Sequence, residues 1–295
     1  MKTKGTVWIL GASSGLGLAT AKAFAGDGWL VVAGARSFSG VKTDENETKS
    51  GIEENRTDGD AAWATGEQVH LLPVDVTQED SCNRFVQDAL AISERVDVLC
   101  YSAGLLILGP CEETGVAEYE RVMQTNFLGM TRMVSKVLPI MRKQGEGKMI
   151  LFSSLNGVLG IPFQSAYTAS KHAIEGYAQC LSMEVRPFGV QISVVEPGDH
   201  RGGSQQYRLN ALGAGGNSPY AAEYQSACKT IHRDESGGLS PEKLGQKVVG
   251  NANRKRMRYR LRVATLDQRS AVWMSRLLWP GLFVSILRGY YVKKG

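Results

Sequence analysis

Short runs of apolar and β-branched residues recur along the chain at 7–10, 30–33, 69–74, 96–101, 148–152, 191–195 and 259–263, with helix-like stretches between them. Hydrophobicity in several of these runs is continuous rather than alternating, as expected of strands covered on both faces. The alternation of strand and helix predicts an α/β chain built on a doubly wound parallel sheet of about seven strands. Ligands of such sheets bind beyond the C-terminal ends of the strands.

Three segments depart from this pattern. Residues 37–67 are polar, with hardly any large apolar side chain, and read as a long surface loop. Residues 199–240 begin polar and carry Gly213, Gly215 and Gly216, which fits a lid loop beside a ligand site or a plain surface loop. In residues 254–295, Arg256, Arg258, Arg260 and Arg262 alternate with Met257, Tyr259, Leu261 and Val263. That period of two places the four arginines on one strand face, as on an edge strand with a solvated side. Beyond it, Trp273, Leu277, Leu278, Trp279, Leu282, Phe283 and Ile286 need something to pack on; a substrate cavity, a second subunit and a membrane surface all fit.

With 295 residues, 43% of them apolar, the chain can bury the core of one large domain spanning 1–295. Within it, 5–200 form the core, 199–240 the lid and 254–295 a C-terminal extension. A formal charge of +5 without a basic reading motif excludes nucleic-acid binding. Five scattered cysteines with no CxxC pair give no zinc or disulfide framework, and no metal site is expected. The apolar stretch at 7–10 is too short for a signal-peptide core, and Arg276 and Pro280 interrupt the longest apolar run. These features point to a cytoplasmic protein without a transmembrane segment, leaving peripheral membrane contact open.

Gly11-Ala12-Ser13-Ser14-Gly15-Leu16-Gly17 directly follows the first strand and opens a helical stretch. Glycines let backbone approach a pyrophosphate, and a helix N-terminus offers free N–H groups and the positive end of its dipole. The second strand ends in Ala35-Arg36 with no carboxylate to grip a ribose 2′-hydroxyl. Arg36, with Ser13 as a second donor, suits a 2′-phosphate instead, so NADP(H) is the expected cofactor.

Tyr167 and Lys171 are four residues apart and share a helix face. A free tyrosine has a pKa of about 10, so acid/base work near neutrality requires roughly 3 units of phenolate stabilisation, or about 4 kcal/mol. The Lys171 ammonium and an oxidised nicotinamide are two charges suited to that. Ser154, at the end of the strand at 148–152, can hydrogen-bond a substrate oxygen as charge develops on it. Asn126, in Thr125-Asn126-Phe127-Leu128-Gly129, can hold a water that links Lys171 to solvent.

The glycine turn, Asn126 with Gly129, Ser154, and Tyr167 with Lys171, in this order, resemble the short-chain dehydrogenase/reductase family over about residues 5–200. The resemblance implies a Rossmann-type fold, Tyr167 as proton donor or acceptor, Lys171 on the nicotinamide ribose, Ser154 orienting substrate and Asn126 completing a proton relay. It also implies cofactor contacts from Asp75 and Val76, from Ser102-Ala103-Gly104, and from Pro197 and Gly198. Ala35-Arg36, Gly109-Pro110, residues 159–163 and residues 187–190 look most like the 17β-hydroxysteroid and retinol dehydrogenase branch. That branch implies ketone and secondary-alcohol interconversion on a lipophilic, steroid-, terpenoid- or aromatic-like substrate, in a homodimer or homotetramer. Ser102 stands where the family commonly has Asn, and Gly202 where a threonine often holds the nicotinamide end. The alternatives are a 3-oxoacyl or polyketide-type ketoreductase, with Arg201 and the arginine strand attracting an acidic carrier protein, and a non-catalytic nicotinamide-binding sensor.

Overall fold

All seven apolar runs become strands of one sheet in the computed structural model, which describes residues 3–38, 63–64, 66–201, 208–214 and 217–292. The first half of the chain runs β1 (Thr6–Leu10), α1 (Gly15–Gly26), β2 (Leu30–Ala35), β3 (Val69–Pro73), α2 (Glu79–Ser93), β4 (Val98–Tyr101), β5 (Leu106–Leu108), α3 (Val116–Met123) and α4 (Gly129–Gln144). It continues as β6 (Gly147–Phe152), α5 (Ser165–Glu184), β7 (Val190–Pro197), β8 (Arg208–Asn210), α6 (Ala221–Ser236), α7 (Pro241–Ala252), β9 (Arg260–Val263), α8 (Leu266–Leu277) and α9 (Pro280–Tyr291).

The sheet order is β3-β2-β1-β4-β6-β7-β9 and every pairing is parallel. Successive side chains of β1 point to opposite faces, so Trp8 and Leu10 join a core with α2, α4 and α5, while Val7 and Ile9 join a second core with α1 and α7. Burial on both faces explains the continuous hydrophobicity of these runs. The order turns back on itself between β1 and β4, and the crevice at such a switch point is where a doubly wound sheet holds its ligand.

Two expectations are corrected. Residues 199–240, expected as a lid loop, carry β8, which pairs with β5 in a small two-stranded sheet, and the four-turn helix α6. β9 is an edge strand as expected, and Arg260 on it is exposed, but the arginines of its face are engaged by acids rather than left to solvent. Glu196 of β7, fully buried, lies in register with Arg262 and binds Arg262 at 2.5 Å and also Arg260, while Arg260 reaches Glu175 at 2.8 Å. Arg256 and Arg258 precede the strand and are exposed. The loop expected at 37–67 lies almost wholly outside the described residues, as do Gly202, Gly215 and Gly216.

α8 and α9 pack through Val272 and Phe283 onto Leu155 and Leu159. No described helix is long and apolar enough to cross a membrane. Burial pushes the Glu196 carboxyl up from its usual range, with Glu175 adding to the effect and the two arginines opposing it. Removing Arg262 leaves the buried carboxylate with Arg260 alone and one oxygen unmatched, so Arg262→Ala should lower stability by about 3 kcal/mol, read from urea unfolding. A loss within the range of an exposed ion pair, below about 1 kcal/mol, would show that the pair does not hold β9 to β7.

Candidate active site

The residues that end each strand on the C-terminal side of the sheet converge on one cavity of about 1280 Å³. Gly11 follows β1, Arg36 follows β2, Asp75 and Val76 follow β3, Ser102 to Gly104 follow β4, Ser154 follows β6 and Gly198 follows β7. Ser13, Ser14, Gly15, Leu16, Gly17, Tyr167, Lys171 and Pro197 also line it, so all the expected site residues except Asn126 border this space.

The glycine turn is built for close approach. Gly11 has φ +81°, and a Cβ on it would stand 2.5 Å from the Ala103 nitrogen; one on Gly17 would stand 2.0 Å from the Gly11 carbonyl oxygen. Ser102 donates from Oγ to that same carbonyl at 3.5 Å. At the start of α1, Ser14 is extended, its side chain makes no cap bond and the first turn holds no acid. An uncapped helix N-terminus beside a backbone cradle is suited to an anion. Asp75 turns one oxygen inward to accept from the Thr77 amide and hydroxyl at 2.9 and 2.8 Å. Arg36 is exposed at the cavity edge, and Arg121 of α3, which the sequence pattern did not single out, borders the same edge.

Tyr167 and Lys171 occupy one face of α5, with Lys171 Nζ 5.4 Å from the centroid of the Tyr167 ring. Lys171 is buried and donates to the Phe152 carbonyl at 2.8 Å. Ser154 stands beside the Tyr167 phenol, where it favours the phenolate, and is itself positioned by Asn156, whose backbone N–H donates to Ser154 Oγ at 3.2 Å. Asn156 in turn donates from Nδ2 to Gln164 at 2.8 Å and to Thr168 at 3.2 Å, fixing the turn after β6 against the start of α5. Neither Asn156 nor Gln164 was anticipated; the available signal was an amide two residues beyond Ser154.

Asn126 sits fully buried in a π-helical turn, Gln124–Leu128, that joins α3 to α4. Such a turn inserts an extra residue and re-aims a side chain, and is frequent at functional sites. Its Oδ1 accepts from the Leu105 N–H at 2.6 Å, while Nδ2 donates to Leu105 O at 3.0 Å and to Ser170 Oγ at 2.9 Å. Ser170 donates to the Tyr167 carbonyl at 2.7 Å, so Asn126 is tied to the catalytic helix through Ser170.

Burial dominates the electrostatics. It pushes the Tyr167 phenol up to about 12, with only the Ser154 hydrogen bond opposing, and it pushes the Lys171 ammonium down to about 7 against the pull of Glu175. The expected lowering of the phenol by Lys171 is therefore absent from this state, because both groups are desolvated together. On the opposite wall, burial raises the Asp199 carboxyl to about 7, with Glu235 and Asp234 adding to it, and Gln268 donates to Asp199 at 2.5 Å.

The chain matches the family model for short chain dehydrogenases over residues 5–209 and belongs to that family. It is an oxidoreductase of CH–OH groups that uses a nicotinamide cofactor and a small-molecule substrate, in the retinol- and steroid-dehydrogenase-like branch. It is 36% identical over 262 residues to a 3-ketodihydrosphingosine reductase of Bacteroides thetaiotaomicron, spanning 89% of this chain and 88% of that one. Human retinol dehydrogenase 8 is 35% identical over 196 residues, 65% of this chain and 58% of that one. The crystal structure of a short-chain dehydrogenase from Streptomyces avermitilis superposes with a TM-score of 0.77 at 25% identity, covering 97% and 96% of the two chains.

A lysine whose folded pKa lies below its free value of 10.5 costs stability while it must stay charged, and that cost fades as pH rises from about 7 to about 10.5. Lys171→Met should therefore be more stable than the parent by the widest margin at pH 7 and below, the margin shrinking at higher pH. Urea midpoints across that window check this; a constant gap would mean the burial of the ammonium is not what costs stability.

Proposed function

We propose that this protein is an NADP(H)-dependent ketoreductase that reduces a ketone on a lipophilic substrate to a secondary alcohol in the cytoplasm. One observation carries the reading: Tyr167, Ser154 and the glycine cradle open onto the same cavity, which is roofed by the apolar helices α8 and α9. The relative named for a ketone on a long-chain base supports the same substrate class.

The residues present fit a dinucleotide. Gly11 to Gly17 and the uncapped start of α1 would hold the pyrophosphate, Asp75 and Val76 the adenine side, and Arg36 with Ser13 a 2′-phosphate. Lys171, with one N–H committed to Phe152, has two left for a ribose hydroxyl. Ser102 to Gly104, Pro197 and Gly198 would line the nicotinamide end. When bound, the reduced nicotinamide would supply the hydride.

The proton steps fall to the chain. Tyr167, with its pKa near 12, is a phenol at neutral pH, and an alkoxide forming on a carbonyl carbon is the stronger base, so proton transfer from Tyr167 is favourable. Ser154 hydrogen-bonds the same oxygen as its charge grows, held in place by Asn156. Lys171 and Asn126 would restore the proton to Tyr167 through water. The reverse oxidation needs a phenolate, which burial disfavours. For the carrier-protein alternative, Arg260 and Arg262 are committed to Glu196 and Glu175, which leaves Arg201, Arg256 and Arg258 as its exposed arginines.

Tyr167→Phe should abolish NADPH-dependent reduction of bulky apolar ketones while leaving NADPH binding nearly intact, read by absorbance and by fluorescence titration. Retained turnover refutes the mechanism. Arg36→Asp should weaken NADPH binding by tenfold or more, about 1.4 kcal/mol, with little effect on NADH; equal losses refute the 2′-phosphate assignment. Between about pH 8 and 10, above the Lys171 and Asp199 titrations near 7, reduction should be nearly flat while oxidation climbs with pH. Parallel profiles would show that Tyr167 is not held as the phenol.

A further inference from the structure

α8 and α9 have two sides with different fates. Their inner residues pack over the cavity, whereas Trp273, Leu277, Trp279 and Leu282 are 64%, 77%, 80% and 52% exposed. Two tryptophans and two leucines in the open between residues 273 and 282 are far from the scattered apolar surface of an ordinary protein. On α8 the spacing places Leu266, Arg269, Trp273, Arg276 and Leu277 on one face, with both arginines along one side of the apolar stripe. Residues 266–291 contain three arginines and a single acid, Asp267, which borders the cavity. Each helix has 12 residues, too short to span a bilayer, which needs about 20.

We propose that the outer face of α8 and α9 docks in the plane of a lipid bilayer that carries anionic headgroups. Tryptophan suits the boundary between acyl chains and headgroups, and the arginines complement the negative lipid surface. A second copy of the chain fits less well, since a two-fold contact centred on Trp273 sets Arg269 opposite Leu277 and Arg276 opposite Ser270, with no acid to meet either arginine. Met274, Ile286 and Tyr290 both line the cavity and reach its exterior, at 38%, 44% and 45% exposure, so the docked face is continuous with the cavity mouth. A membrane-dissolved ketone would enter there from the lipid without crossing water. That last step rests on the ketoreductase reading; the docking itself does not.

The test is sedimentation of the full chain with vesicles of phosphatidylcholine alone and of phosphatidylcholine mixed with phosphatidylserine. The chain should sediment with the mixed vesicles and less with the neutral ones. Arg269→Gln with Arg276→Gln should lower partitioning onto the mixed vesicles by about 25-fold, roughly fivefold per arginine. Trp273→Ser with Trp279→Ser should abolish binding to both. Because these side chains are exposed, both double variants should keep the parent melting temperature, which separates lost docking from lost folding. A chain that stays in the supernatant with both vesicles overturns the proposal. So does a dimer by light scattering that the tryptophan variant converts to a monomer, with no vesicle binding in either form. An inactive chain that still sediments would refute the ketoreductase reading alone, and an active chain that ignores vesicles would refute the docking alone.

Discussion

The hydrogen bond from the buried Lys171 ammonium to the Phe152 carbonyl fixes α5 against the end of β6, and the rest of the site is referenced to it. Tyr167 stands one turn earlier on the same helix, Ser154 two residues beyond the carbonyl that Lys171 holds, and Asn126 reaches the helix through Ser170. A buried amine that satisfies only one of its three N–H donors among the described residues is an incomplete arrangement. Its completion by a bound hydroxyl-rich ligand would couple occupancy of the site to the charge on Lys171, and through that charge to the acidity of Tyr167.

The cavity joins two walls of different origin. The wall from Gly11 to Gly104 consists of backbone turns directly after strands, where position is set by the sheet and side chains matter little. The opposite wall comes from α6, α8 and α9 together with Asp199, and there side chains supply the shape and charge. The first wall suits a ligand shared by many chains of this fold and the second a ligand particular to this one. Asp199 and Glu235 on that second wall also help hold Tyr167 protonated.

What the sequence reveals follows from what each element depends on. The seven sheet strands are legible because burial on both faces demands continuous apolar runs. β5 and β8 are not, since three residues carry no period, and Arg208–Asn210 is a strand only because Leu106–Leu108 lies beside it. α6 is hidden by its polar composition, which is that of a surface helix with one thin buried edge, at Ala227, Thr230 and Ile231. The arginine alternation gives the shared face of Arg260 and Arg262 correctly, but periodicity cannot say what that face meets. The missing clue was Glu196, a lone carboxylate in the apolar strand 190–197. The catalytic residues were legible because their spacing is short-range; the charge states of Tyr167 and Lys171 were not, because desolvation is a property of the assembled core.

The pairing of Glu196 with Arg262 also sets an order of events during synthesis. The two residues are 66 positions apart, and β9 is the last strand of the sheet to be made. Until the ribosome has released the segment beyond residue 262, the nascent chain carries β7 as an open edge with an uncompensated acid in it. An acid in an unfinished edge resists burial and discourages pairing with a neighbouring nascent chain. The same carboxylate that would destabilise an incomplete fold thus guards it against premature closure, and becomes a fastener only when the final strand arrives.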